Sequence, residues 1–285
     1  VAVTTDLPRL IVNADDFGLT ADINRGIMEA FAAGALRSTS VMVGMPGFDD
    51  AVRCAADAGN ALGVGLHFTL TAGRPLTAAR SLVEPDTGEF LAPGKLLVRC
   101  LTGRVDQRDV EQECAAQIAR ARAAGIRLTH IDGHHHVHLA PTVRDAVRRV
   151  VEAERIPAVR RPRERILGGA GSPRRLRVRL ISRRFARVID AAEWPVRTTD
   201  HFTGSALLGA KAFRRLLAQT LDTLPPGSTE LMVHPGYVRG PLPGNDPLTT
   251  QREVELRALT SPDIIARFRS GRFRLVHFGD LVDPP

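Results

Sequence analysis

The sequence predicts an α/β fold: a single-domain, distorted (β/α) barrel of the TIM-barrel kind. Three observations predict it. Short β-type runs alternate with helical ones, which implies a mainly parallel sheet covered by helices. About seven or eight such units fit the 285 residues, and barrels of this kind typically run to around 250 residues. Polar residues gather where the predicted strands end, the side on which α/β proteins carry their functional groups. An open doubly wound sheet is the competing arrangement.

The elements follow in order. "RLIVNA" (Arg9–Ala14) reads as a buried strand running into "DDFG". "ADINRGIMEAFAAG" has apolar residues at Ile23, Ile27, Ala30 and Phe31, the spacing of one helix face, with Gly34 as its stop. "STSVMVG" is a second strand and "DDAVRCAADAG" a short helix ending at Gly59. A third strand, "GVGLHF", carries His67 at its end. "RDVEQECAAQIARARAAG" is a strong helix closed by Gly125, and "IRLTHID" is the strand that feeds a histidine cluster. Later strand candidates are "AVRR" (Ala158–Arg161), "WPVRT", "TELMVH" (Thr229–His234) and "FRLVHF", with the helix "AFRRLLAQTLDTL" among them. Gly/Pro-rich stretches at Thr71–Lys95, Leu167–Pro173 and Pro235–Pro247 read as loops. None has the composition of a linker, so residues 1–285 are expected to form one domain, with loop and helix insertions around 71–106 and 162–192.

Composition narrows the function classes. Hydrophobic residues at 44% and charged residues at 25% are ordinary for a globular core. One Trp and one Tyr argue against extended stacking on a nucleic acid strand. Cys54, Cys100 and Cys114 form no CxxC and read as core thiols in a reducing compartment. The first residues lack the pattern of a signal peptide, and no apolar run reaches the roughly 18 residues of a membrane span. A cytoplasmic location is the expectation. The net charge is +8, yet twelve arginines and a single acidic residue, Glu164, lie between Arg155 and Arg187.

Four polar strand ends should meet on one rim: Asp15 with Asp16, His67, the "THIDGHHHVH" run, and His234 of "HPG". Adjacent carboxylates on a strand point apart, so one can bind a metal while the other acts as a base. The run from Thr129 to His138 holds five of the nine histidines. If the strand continued, His130, Asp132, His134, His136 and His138 would share a face and His135 would lie opposite. A catalytic metal takes about three protein ligands and keeps a position open for water, so most of the five must support or meet the substrate. The alternation alone does not choose between His134 and His136. His234 reads either as a loop histidine stiffened by Pro235 or, if it faces the same rim, as a group that could donate a proton to a leaving group. No GxxxxGK[ST], GxGxxG or GxSxG is present. The constellation points to metal-assisted hydrolysis. A metal-dependent phosphoesterase and a basic nucleic-acid-binding protein are the alternatives; the first would be expected to show more carboxylates, and the second leaves the carboxylate–histidine rim unexplained.

Taken together, "LIVNADDFG", "GLHFTL" with "GRPL", "THIDGHHHVH", "TDHFTG" and "HPG" resemble the YdjC/ChbG-like carbohydrate deacetylases over nearly the whole chain. The resemblance implies a distorted barrel related to the polysaccharide deacetylases and hydrolysis of the N-acetyl group of an N-acetylglucosamine-type sugar. It implies one divalent metal held by Asp16, His67 and His134, with Asp15 as base and His234 as acid. Zn, Mn, Co or Ni suits such donors, and the family is associated with Mg as well. Asp132, His136, His138 and Asp200 are then candidates for substrate binding or for support of the ligands. A branch associated with hopanoid biosynthesis acts on an N-acetylglucosaminyl lipid; soluble chito-oligosaccharides are the competing substrates. In "RRLRVRLISRRFARVI", Leu176, Leu180, Ile181, Phe185 and Val188 fall near one helical face among arginines. Arg174–Arg187 is therefore a candidate for peripheral contact with an anionic membrane, against the plainer reading of a solvated helix. Nucleic acid is not expected as a partner, and a homodimer is compatible with the sequence.

Overall fold

The computed structural model describes residues 7–164, 194 and 196–281. Its strands are β1 (Arg9–Phe17), β2 (Ser38–Val41), β3 (Gly63–Phe68), β4 (Leu128–Gly133), β5 (His201–Thr203), β6 (Ser228–Val233) and β7 (Arg274–Leu275). The described helices are α1 (Ala21–Ala32), α2 (Phe48–Ala58), α3 (Pro93–Leu101), α4 (Gln107–Ala123), α5 (Pro141–Ala153), α6 (Phe213–Asp222), α7 (Thr250–Leu259) and α8 (Pro262–Phe268).

The strands form one sheet in the order β4-β3-β2-β1-β6-β5, with every neighbour parallel. β7 pairs with Arg9 and Leu10 of β1, below the stretch that β2 occupies. Between β4 and β5 the sheet is joined by isolated parallel bridges, Ile131 with Val159 and Glu164 with Phe202. The sheet thereby curls into the distorted barrel expected from the β/α alternation.

β1 is central because it is apolar on both faces: Leu10, Ile11 and Val12 are fully buried. Each such side chain contributes about 1.5–3 kcal/mol on burial. α1 starts where the Thr20 hydroxyl accepts from Ile23 N at 3.2 Å, and it turns Ile23, Ile27 and Ala30 inward. α4 is capped by Asp106, which accepts from Arg108 N at 2.9 Å. Gly34 and Gly125 stop these two helices with left-handed φ of 81° and 82°, as their positions in the sequence predict.

The shortest elements depart from expectation. "AVRR" and "WPVRT" contribute only bridges, and "FRLVHF" pairs at two residues alone. β5 is just three residues long, below the run length at which alternation is readable. The insertion at 71–106 holds a helical turn at Arg80–Leu82, an antiparallel bridge between Val83 and Phe90, and α3. Most of the predicted 162–192 insertion, including Arg174–Arg187, lies outside the described residues. No described helix is long and apolar enough to cross a membrane.

α1 also fixes the loop that follows β6. A Cβ on Gly26 would sit 2.6 Å from Gly236 Cα, and the loop backbone is tied in place by Gly236 N to Arg252 O and Tyr237 N to Asp22 O. Backbone against backbone has little room to relax. Gly26→Ala is expected to lose about 1–3 kcal/mol of stability through overpacking, read as a lower urea midpoint with an unchanged slope. An unchanged midpoint would show that the helix and the loop are not rigidly packed.

Candidate active site

The site is built at the carboxyl ends of β1, β3, β4 and β6. β1 makes an irregular step there: its register with β2 shifts between Ala14 and Phe17, and Asp16 takes a left-handed φ of 68°. Such steps re-aim side chains. Here the step sends the two adjacent carboxylates to different partners.

Asp15 goes to Arg160. The guanidinium meets both its oxygens at 2.6 Å, a bidentate pair, and Asn13 Nδ2 donates to Oδ1 at 2.9 Å. Burial would raise the Asp15 carboxyl, yet Arg160 holds it below the usual carboxylate range. The same guanidinium reaches Asp132 at 2.9 Å and Glu230 at 2.7 Å, and Arg160 is wholly buried.

Asp16 goes to two imidazoles. Its Oδ1 lies 3.2 Å from His67 Nε2 and 3.1 Å from His134 Nδ1. Its Oδ2 accepts from Arg252 at 2.6 Å, and Arg252 also holds Asp246 at 2.5 Å. The other nitrogen of His67, Nδ1, pairs with Asp132 Oδ1 at 2.8 Å, and the Ser40 hydroxyl donates to Asp132 Oδ2 at 2.8 Å. A carboxylate behind a ligating imidazole is the usual way to fix its tautomer and orientation.

The donor set suits a divalent cation. One ligand atom each from Asp16, His67 and His134 lies within 4.8 Å of the others. The arrangement also demands positive charge. Burial would lower His67, but the flanking Asp132 and Asp16 push it up to about 10, so without a metal a proton must occupy that place. The surrounding charge agrees. Burial pushes the carboxyls of Glu230 and Glu255 up to about 8. Setting those two aside, Asp15, Asp16, Asp132 and Asp246 face Arg160 and Arg252, and four carboxylates against two guanidiniums leave two in excess. A second group, Asp15, His67 and Asp132, is as close, but both its carboxylates already hold Arg160, which would repel a cation.

His234 Nε2 lies 3.8 Å from Asp15 Oδ2, and its backbone N–H donates to Glu255 at 2.6 Å. Burial lowers its pKa. His136 is half-buried, lines the cleft and has no partner for Nδ1 among the described residues, while its ring edge meets Phe202. His138 is buried, and its Nε2 pairs with the backbone carbonyl of Arg160 at 3.1 Å. His130 lies in the core, stacked on Phe278 at 4.0 Å between ring centres.

Two expectations need correcting. β4 ends at Gly133, and His135 and His136 turn left-handed (φ 54° and 55°), so the alternation stops and His135 faces the same cleft as His134. Asp200 sits at the start of β5, where its carboxylate accepts from Ser228 N at 2.8 Å and Ser228 Oγ at 2.7 Å. It clamps the opposite ends of β5 and β6, away from the cluster. The sequence reading also missed Arg160, Arg252, Asp246, Glu230 and Ser40. Arg160 was hidden in the arginine-rich run; its signal was a place in the strand-like "AVRR".

Asp15, Asp16, His67, His134, His136, His234 and Asp246 line a cleft of about 460 Å³, within the usual range for small-molecule sites. Its walls include Leu139, Pro162, Leu208, Met232, Pro247 and Leu248.

Known proteins are similar to this chain. A Carbohydrate deacetylase of Geobacillus stearothermophilus is 35% identical over 274 residues, covering 95% of this chain and 98% of that protein. A Carbohydrate deacetylase of Vibrio vulnificus (strain CMCP6) is 32% identical over 281 residues, covering 97% and 98%. A crystal structure from Enterococcus faecalis V583, of a protein named for cellobiose-phosphate cleavage, superposes with a TM-score of 0.77 at 24% identity. It covers 97% of this chain and 100% of its own and supports the fold. Residues 9–270 match the family described as YdjC-like protein, and the chain belongs to that family.

Proposed function

We propose that the chain is a metal-dependent carbohydrate deacetylase that hydrolyses the N-acetyl group of an N-acetylglucosamine-type sugar and releases acetate. The observation that carries this reading is the division between two adjacent aspartates. Asp16 faces two imidazoles in a ligand triad, while Asp15 stays outside it as an ionised carboxylate 3.8 Å from His234. The names of the relatives supply the substrate class.

Asp16, His67 and His134 would hold the ion. When bound, a divalent ion supplies Lewis acidity that polarises the amide carbonyl and makes water easier to deprotonate. Asp15 takes the proton of the attacking water, and Arg160 fixes both its oxygens so that the carboxylate cannot turn away. The water oxygen adds to the carbonyl carbon; collapse of the adduct breaks the C–N bond. The nitrogen must leave protonated. His234, whose burial favours the neutral imidazole, lies 3.8 Å from Asp15, and once the two close to hydrogen-bond distance or share a water it takes that proton and passes it to the nitrogen. Acetate and a free amino sugar result.

The aliphatic and proline walls favour a substrate with an apolar portion. A lipid-linked amino sugar therefore fits this cleft better than a free oligosaccharide. Acetate release from soluble and lipid-linked N-acetylglucosaminides, with metal content measured on the same samples, tests both parts. Phosphate release from phosphoesters without acetate release would replace the deacetylase reading.

Asp16→Asn is expected to lose metal and activity together. Asp15→Asn should keep the metal while turnover falls about 10²–10⁴-fold, the usual contribution of a positioned base. Full turnover by Asp15→Asn would overturn the assignment of the base. Metal removal has its own readout. With free metal at 100 times its Kd, the parent should gain about 2.7 kcal/mol against urea, and Asp16→Asn should gain nothing. Equal gains in both would place the ion elsewhere.

A further inference from the structure

We propose that His135 orients the substrate: Thr71 fixes its imidazole at the cleft so that Nε2 meets a hydroxyl of the amino sugar. The inference rests on the deacetylase reading for the kind of ligand, though not for the geometry.

His135 is exposed where its neighbours His134 and His138 are buried, and it lines the cleft with its ring 4.0 Å from that of His134. It reaches this place only because the backbone turns left-handed at two successive residues that are not glycine. That conformation is uncommon for a side chain of this size, and strained backbone of this kind gathers at functional sites. Nδ1 pairs with Thr71 Oγ1 at 2.9 Å, which sets the ring. Nε2 has no protein partner among the described residues.

Thr71 is itself held with unusual care. Its loop follows β3, the strand that carries His67, and both ends are pinned by two side chains of α4. Gln117 accepts from Thr69 N at 3.1 Å and donates to Thr69 O at 2.9 Å. Glu113, fully buried, accepts from Leu76 N at 3.1 Å, Thr77 N at 3.0 Å, Thr77 Oγ1 at 2.8 Å and Gln117 Nε2 at 2.8 Å. Both groups lie outside the cluster around the two aspartates, and the loop they fix carries Thr71 to His135.

The chemistry selects a hydroxyl. The walls are aliphatic, and Asp15, Asp16, His67 and Asp246 on the floor are already paired with one another or with Arg160 and Arg252. Nε2 of a neutral imidazole donates or accepts according to the tautomer that Thr71 selects, and a sugar hydroxyl can answer either way.

The test is steady-state acetate release from a soluble N-acetylglucosamine disaccharide and from its alkyl glycoside. His135→Asn suits the left-handed backbone and keeps a polar atom for Thr71, but it cannot reach the cleft. Its KM is expected to rise about tenfold, the worth of one good hydrogen bond, with kcat within about threefold and metal content as in the parent. His135→Gln restores the reach and should recover most of the loss. Thr71→Val, which frees the ring, should give an intermediate KM. An unchanged KM in His135→Asn would overturn the proposal, as would equal losses in the Asn and Gln variants. If the metal-loaded parent released no acetate from any N-acetylated sugar, the deacetylase reading would fail and this inference with it.

Discussion

Everything at the working end of this barrel depends on burying one guanidinium among three carboxyl groups. Arg160 gathers Asp15 from β1, Asp132 from β4 and Glu230 from β6, and its own backbone bridges the gap in the barrel through Ile131 O at 3.0 Å. Taking such charges out of water is costly, and only good geometry with satisfied hydrogen bonds offsets it. The barrel wall and the catalytic electrostatics are therefore one structure. Removing one partner of such a buried group typically costs 3–5 kcal/mol, because the others are left uncompensated. An arrangement of this kind is not chosen for stability. It holds Asp15 ionised and still at the buried floor of the cleft.

From that anchor the division of labour follows. With Asp15 committed to Arg160, the register shift in β1 turns Asp16 toward His67 and His134, and Arg252 covers its remaining oxygen. Two neighbouring residues of the same type thus enter different electrostatic environments. Asp132 links the two halves, since it holds Arg160 with one oxygen and His67 with the other. A change in the charge of either half is felt in the other through this one carboxylate.

Much of this was legible in the sequence, for identifiable reasons. Strands such as "RLIVNA" and "GVGLHF" are buried on both faces and read as continuous apolar runs. Rim residues could be gathered because polar groups stand at the ends of those runs, and the structure brings Asp15, Asp16, His67, His134 and His234 together. Alternation failed beyond Gly133, because left-handed turns at His135 and His136 leave no periodic trace and are signalled by neither glycine nor asparagine. Arg160 and Arg252 were missed for a different reason. A buried arginine looks like a surface one until its carboxylates are known, and Asp15 is 145 residues from Arg160 in sequence. Asp200 was a candidate as part of the "TDHFTG" motif, whereas the strand direction places it at the amino end of β5.

The positive-φ residues near the site share one logic. Asp16, His135 and His136 all occupy the left-handed region, where residues of this kind sit at a cost of about 1–3 kcal/mol each. The surroundings over-determine each of the first two. Asp16 is held by two imidazoles and a guanidinium; His135 by Thr71, whose loop hangs on Glu113 and Gln117. Strain in Asp16 separates the carboxylate that faces two imidazoles from the one that faces Arg160, and strain in the histidine turn brings a further imidazole to the cleft beside His134. Without the first, both carboxylates would compete for the same guanidinium. Without the second, the cleft would have a reactive floor and aliphatic walls but little to tell one face of a sugar from the other.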